Sequence, residues 1–119
     1  MTSLEFLDLI VQVGPNRGMQ YTVPQGMYRL IARYEEGLVA DERTLSPDLQ
    51  ERVIKHLPKP GSYLRGPDIL LDDKALNPVQ GFILFGFTEK LWVDLLEEEA
   101  KNIEAGDFIL LGNTQLKVS

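Results

Sequence analysis

The side chains that could perform covalent or acid–base chemistry are few in this chain. It has one histidine, His56, and no cysteine. Nucleophilic catalysis would then need a serine beside an unusual base. Ser46 has the position of a helix cap, while Ser3 and Ser119 lie near the termini. The carboxylates are numerous, but none has a recognisable acid–base spacing, so the sequence favours a binding protein over an enzyme.

Two acidic stretches and one glycine-containing turn are the other candidates for chemistry. Residues 72–73 and 97–99 concentrate carboxylates, but neither stretch has the alternating oxygen ligands of a calcium loop. The turn at residues 14–18 lacks the Lys-Ser/Thr ending of a phosphate-binding loop. We therefore predict no metal ligand, no cofactor and no catalytic residue, and we interpret 97–99 as a solvated face.

Length and charge restrict the class of protein further. A chain of 119 residues is long enough for one domain with its own core, so residues 1–119 are expected to form a single domain. The net charge of −6 argues against nucleic-acid binding, because phosphates would be repelled. No apolar run has the length of a membrane span, and no signal peptide is visible. We expect a cytoplasmic protein that binds no nucleic acid and does not insert into a membrane.

Short apolar or alternating runs, separated by turn residues, predict a chain made mostly of β-strands. The pattern gives about eight strands, which is typical of a sandwich or barrel. The predicted strands cover residues 7–13, 19–23, 28–33, 69–71, 82–85, 91–95, 108–111 and 116–118.

Residues 34–67 interrupt this pattern and are interpreted as an insertion that contains a short helix, at about 47–57. Ser46-Pro47 is a good helix start, because serine caps the first turn and proline fits its first position. His56 is expected to face solvent. The predicted apolar face of the helix consists of Leu49, Val53, Ile54 and Leu57.

The stretch 82–87 is apolar on both faces, unlike a strand that exposes one face to water. Something must therefore cover its outer face. The inserted helix is one candidate, and a second subunit, which would make a homodimer, is the other.

The order of these segments resembles a forkhead-associated (FHA) domain of the SMAD/FHA superfamily, in a divergent form. Residues 14–33 resemble its first strands, which end in Gly-Arg, and residues 68–85 resemble the Ile-x-Leu-x-Asp segment that leads to a Ser-x-x-His loop. Residues 106–118 resemble its ending, Gly-Asp-x-Ile-x-Leu-Gly followed by a hairpin. The resemblance implies an all-β sandwich of two mostly antiparallel sheets, with one short helix in the insertion.

The resemblance also implies that loops at one end bind a phosphothreonine peptide. The family's Gly-Arg falls on Ala32-Arg33, so the phosphate-pairing arginine is Arg33. The family's serine falls on Asn77 and its histidine on Gln80. The Asn-Gly pairs expected after residue 95 are missing, and the shorter, acidic segment 96–101 stands in their place. The phosphate site is therefore predicted to be partly degenerate, with Arg33, Asn77 and Gln80 as its candidate residues.

Two functions remain open from the sequence. The first is a protein-interaction module for signalling or assembly, whose partner is a protein or peptide with or without phosphothreonine. The second is a structural or oligomerisation domain of a larger assembly that binds no phosphopeptide.

Overall fold

A computed structural model describes residues 5–39 and 44–119 as two β-sheets packed face to face, with one helix outside the second sheet. Ser3 and residues 40–43 of the predicted insertion lie outside the described residues. The ten strands and the helix are β1 (Phe6–Val13), β2 (Gln20–Pro24), β3 (Met27–Arg33), α1 (Pro47–His56), β4 (Leu64–Arg65), β5 (Ile69–Leu71), β6 (Val79–Phe85), β7 (Lys90–Asp94), β8 (Glu99–Asn102), β9 (Phe108–Leu111) and β10 (Thr114–Val118).

The first sheet has the order β2-β1-β10-β9, and every neighbouring pair is antiparallel. Alternation along β1 explains how it packs, because Leu7, Leu9 and Val11 are buried on one face. Leu116 and Val118 of β10 meet them in the space between the sheets. The predicted first, second and last strands are thus confirmed.

The second sheet has the order β4-β3-β6-β7-β8, and β5 also pairs with β3. β4 and β5 both run parallel to β3, at its two ends, whereas β6, β7 and β8 are antiparallel to their neighbours. The two sheets are therefore mostly antiparallel, which confirms the predicted fold class.

β6 is buried on both faces, as its sequence indicated. Ile83 and Phe85 point into the space between the sheets. Phe82 and Leu84 point outward and pack under Val53 of α1. The helix of the same chain therefore covers this face, which is the first of the two alternatives. Phe87 is the exception, since it is 62% exposed and stacks on Tyr63.

α1 begins as predicted, with the Ser46 hydroxyl accepting a hydrogen bond from the Leu49 amide at 3.3 Å and Pro47 in the first turn. Val53 and Leu57 are buried against the sheet. Two expectations for the helix are wrong. Ile54 is 47% exposed, because it lies beside the stripe that packs. His56 is half-buried, and its Nε2 atom is shielded from solvent.

Two strands carry no sequence pattern that would have predicted them. β4 has only two residues, and β8 has the sequence EAKN with every residue exposed. Such edge strands are held by backbone pairing with a neighbour and need no apolar alternation. β6 also starts at Val79 rather than at residue 82. Among the residues described, no helix has the length and hydrophobicity needed to cross a bilayer.

Close packing around the middle of β6 leaves no room for a side chain at Gly81. A Cβ atom there would lie 2.1 Å from the Val93 carbonyl oxygen and 2.6 Å from the Trp92 ring. We expect Gly81→Ala to lower the free energy of unfolding by about 3 kcal/mol, because neither neighbour can move cheaply. Urea denaturation followed by tryptophan fluorescence measures this change.

Gly18→Ala is the matched control for that measurement. Gly18 has a φ of +92°, and a methyl group added there would meet nothing within 4 Å. Its cost is therefore only that of the left-handed backbone, about 1–2 kcal/mol. A Gly81→Ala protein as stable as the control would contradict the packing around Trp92.

Candidate functional site

The candidate site lies where β3 ends and the loop 72–78 leads from β5 into β6. β3 pairs with both β5 and β6, so these three strands deliver their loops to the same end of the second sheet. Arg33 is the last residue of β3, and its amide donates to the Pro78 carbonyl at 3.3 Å. Arg33 and the loop are therefore in direct contact.

A β-bulge fixes the start of β6 at this point. Ile31 pairs with Gly81 and Ala32 pairs with Val79, so Gln80 is the extra residue of the bulge. The bulge turns Val79 to the same side as Phe82 and Leu84, where it packs under α1. It also leaves the Gln80 carbonyl to accept a hydrogen bond from the Leu95 amide at 3.2 Å, which joins the loop after β7 to the same site.

The side chains of Asn77 and Gln80 contact each other. The Gln80 Oε1 atom accepts hydrogen bonds from the Asn77 amide at 3.3 Å and from Asn77 Nδ2 at 3.4 Å. Gln80 thus braces the loop from within. The side chain of Asn77 is exposed and remains within reach of a ligand.

Arg33 is occupied by two groups of its own chain. Its Nη1 atom donates to the Leu76 carbonyl at 3.1 Å. Its Nε and Nη2 atoms donate to one carboxylate oxygen of Glu35, at 3.1 and 2.5 Å. A carboxylate of the same chain therefore pairs with the guanidinium.

The buried carboxylate of Asp73 holds the loop to the other sheet. Asp73 is 1% exposed. Its Oδ2 atom accepts hydrogen bonds from the Thr114 hydroxyl at 2.7 Å and from the Asn113 amide at 2.8 Å. Its Oδ1 atom accepts one from the Ala75 amide at 3.0 Å. Leu76, which is 2% exposed, packs into the core beside it.

These contacts decide the charge of Asp73. Burial raises the pKa of its carboxyl group, but the hydrogen bonds from Thr114, Ala75 and Asn113 outweigh burial and hold the pKa below its ordinary value of 3.8. Asp73 is therefore ionised at neutral pH, and its negative charge is compensated by oriented donors.

The loop is also attached to the hairpin between β1 and β2. The Asn16 side-chain oxygen accepts a hydrogen bond from the Asp72 amide at 2.7 Å. Loop 72–78 thus has partners in the β1–β2 turn, the β9–β10 turn and β3. Such a loop presents Asn77 from a fixed backbone.

The turn between β7 and β8 supplies negative charge at this end. Asp94 accepts hydrogen bonds from the amides of Leu96 at 2.9 Å and Glu97 at 3.1 Å. Glu98 takes the left-handed conformation, with a φ of 52°, and its carboxylate lies 3.7 Å from Lys55 of α1. The acidic residues 97–99 are exposed, as expected.

The sequence brought the three candidate residues to one loop, but it missed two further residues: the ion-pair partner of Arg33 and the carboxylate that holds the loop in place. Arg33, Asn77 and Gln80 do come together around loop 72–78. Glu35 was missed because an acidic residue two positions after a strand has no distinctive pattern. Asp73 was missed as a structural residue, although it holds the Asp position of Ile-x-Leu-x-Asp.

No protein-family model and no curated protein sequence matches the chain. Solved structures do. The FHA domain of the CT664 protein from Chlamydia trachomatis aligns with a TM-score of 0.60 and 17% identity, over 96% of both chains. The FHA domain of an Arabidopsis thaliana hypothetical protein aligns with a TM-score of 0.62 and 17% identity, over 95% of this chain and 83% of that one.

A third structure, of a Salmonella type III secretion system protein, aligns with a TM-score of 0.50 and 16% identity, over 94% of this chain and 92% of that one. The structural alignments show a shared fold, and sequence identities this low support no conclusion beyond the fold. The chain therefore has a divergent FHA fold, and the predicted resemblance is confirmed at that level.

The contribution of Asp73 to the free energy of unfolding should depend on pH. Asp73→Asn should lower the free energy of unfolding at pH 7 by about 2–3 kcal/mol, because donors that faced a carboxylate would face a neutral amide. The pKa of Asp73 is lower in the folded state, so its stabilisation is present above pH 3.8 and is lost as pH falls through the folded pKa. The difference between wild type and variant should therefore shrink below about pH 4.

Urea denaturation at pH 7 and at about pH 3 measures both effects. Asp72→Asn is the control, because Asp72 is the adjacent acidic residue and is exposed. If the free energies of unfolding of Asp73→Asn and wild type differ by the same amount at both pH values, the donors do not stabilise the carboxylate charge.

Proposed function

We propose that this chain is a protein-interaction module that binds an extended segment of a partner protein at the loop end around Arg33, Asn77 and Gln80. Its recognition of phosphothreonine is weakened relative to the family it resembles. The observation that carries the proposal is the convergence of these residues on loop 72–78 within an FHA fold, through the contacts Arg33–Pro78 and Asn77–Gln80.

The Arg33–Glu35 pair supports the weakened phosphate recognition. A ligand phosphate or carboxylate must displace Glu35 before it can form the bidentate contact that arginine offers. The pair is partly exposed, with side-chain exposures of 31% and 50%, so its contribution is up to about 1 kcal/mol. This cost lowers affinity for an anionic residue without abolishing it.

The charges around the site favour a partner segment that carries at most a single acidic group. The exposed carboxylates of Glu97 and Glu98 lie on the loop after β7, and that of Glu99 lies at the start of β8. This loop contacts the site through Gln80 and Leu95. These carboxylates would repel a multiply charged segment at any position other than Arg33. An unphosphorylated segment with one acidic residue therefore fits better than a heavily phosphorylated one.

A structural role in a larger assembly is the second candidate. One of the structures similar to this chain is a Salmonella type III secretion system protein. In such a role the fold would pack against other protein subunits, and loop 72–78 would not need a phosphate ligand.

A peptide titration tests the first candidate. A degenerate phosphothreonine library and its unphosphorylated counterpart are each titrated against wild type, Arg33→Ala and Glu35→Gln. We expect Glu35→Gln to bind phosphorylated peptides about fivefold more tightly than wild type, because it frees Arg33 from an exposed ion pair. Arg33→Ala should bind phosphorylated peptides no more tightly than wild type and should lose any preference for acidic peptides.

Lys90→Ala is the control, since it also removes one positive charge, but Lys90 is exposed and lies at the opposite end of β7 from the candidate site. Equal binding with and without phosphate in all variants would exclude phosphate recognition. Strong phosphate-dependent binding by wild type that disappears in Arg33→Ala would show that Glu35 does not weaken the site.

A further inference from the structure

The outermost strands of the two sheets differ in how well they are protected from pairing with another chain. Exposed strand edges present unpaired backbone groups, and natural proteins shield them with charges, prolines or very short strands. β2 ends in Pro24, β4 has two residues, and β8 carries Glu99 and Lys101. β9, at the other edge of the first sheet, has the sequence FILL and none of these protections.

The free backbone groups of β9 can be assigned from its pairing with β10. The Val118 amide donates to the Asp107 carbonyl at 2.8 Å, and the Val118 carbonyl accepts from the Gly106 amide at 2.7 Å, so the ladder is hydrogen-bonded at the level of Asp107. Bonded and non-bonded pairs alternate along an antiparallel ladder. Ile109 and Leu111 therefore bond to β10, while the N–H and C=O groups of Phe108 and Leu110 point away from the sheet.

The same two residues also expose their side chains. Ile109 and Leu111 are buried in the sandwich, whereas Phe108 is 52% exposed and Leu110 is 76% exposed. A hollow of about 280 Å³ lies beside this edge, between β9 and the end of β8. Free backbone groups and exposed apolar side chains thus coincide on one short strand.

We propose that this edge pairs with the same edge of a second copy of the chain, β9 antiparallel to β9, so that the two first sheets become one continuous sheet. The inference does not rest on the proposed function, because it uses none of the residues around Arg33.

The alternation of faces determines the register. Opposite residues in an antiparallel pair must point to the same side of the sheet. Placing Ile109 opposite Ile109 of the second copy satisfies this condition and sets Phe108 opposite Leu110 of the second copy. Since Phe108 and Leu110 carry the free backbone groups, each such pair can exchange both of its hydrogen bonds. The arrangement is twofold and self-complementary.

The side chains of the strand favour a second copy as the occupant. In this register each exposed apolar residue of one copy, Phe108 or Leu110, meets the other exposed apolar residue of the second copy. β9 is uncharged, so the twofold pairing places no like charges opposite each other along the strand, despite the net charge of −6 on each chain.

Sedimentation equilibrium across protein concentrations tests the pairing. A strand this short buries less surface than a standard interface, so we expect a dimer that dissociates on dilution into the micromolar range. Leu110→Lys should raise the dissociation constant at least about tenfold, because it replaces buried apolar contact with a charge at the edge. Its folding is checked by urea denaturation, and Leu110 is exposed enough for the variant to fold.

Leu64→Lys is the matched control. Leu64 is 68% exposed and lies on β4, at the edge of the other sheet, so the same substitution there should leave the dissociation constant unchanged. A wild type that stays monomeric at every concentration overturns the proposal. It does so even if β9 is then found to pair with a strand of a different protein. Equal effects of the two lysine variants also overturn it.

Disulfide trapping tests the register, because the chain has no cysteine of its own. A mixture of Phe108→Cys and Leu110→Cys should form the mixed disulfide dimer faster than a mixture of Leu64→Cys and Leu110→Cys. Equal rates for the two mixtures would overturn the antiparallel pairing of β9.

Discussion

The burial of β6 on both faces is the constraint on which the rest of the structure depends. A strand with Ile83 and Phe85 on one side and Phe82 and Leu84 on the other cannot lie at the surface of a two-layer sandwich. α1 provides the third layer, so the segment between β3 and β5 is part of the fold.

The site depends on this strand through its bulge. The extra residue Gln80 lets Val79 join the layer under α1, and the same extra residue accepts the hydrogen bonds of Asn77. Packing on one side of the sheet and the conformation of the candidate loop are therefore set by a single irregularity. Asp73 and Asn16 fix the far side of the loop, so its shape is formed before any partner binds.

The sequence predicted those parts of the fold that have a period. Alternation located β1, β2 and β3, and the Ser46-Pro47 cap located the start of α1. β4 and β8 have no apolar period, because they are short edge strands held by backbone bonds. The candidate site could likewise be predicted only in part. The order of the FHA-like segments along the chain located Arg33 and Asn77. The ion pair of Arg33 with Glu35 depends on how the chain leaves β3, which no pattern encodes.

The carboxylate of Asp73 has one more consequence, which concerns cooperativity. It connects loop 72–78 to the turn between β9 and β10, which is about forty residues away in the chain. Opening either segment alone breaks these hydrogen bonds and leaves the other side of the contact without its partner. We therefore expect the loop and the turn to open together in local unfolding, so that a partner which orders the loop also slows the fraying of the hairpin that carries β9.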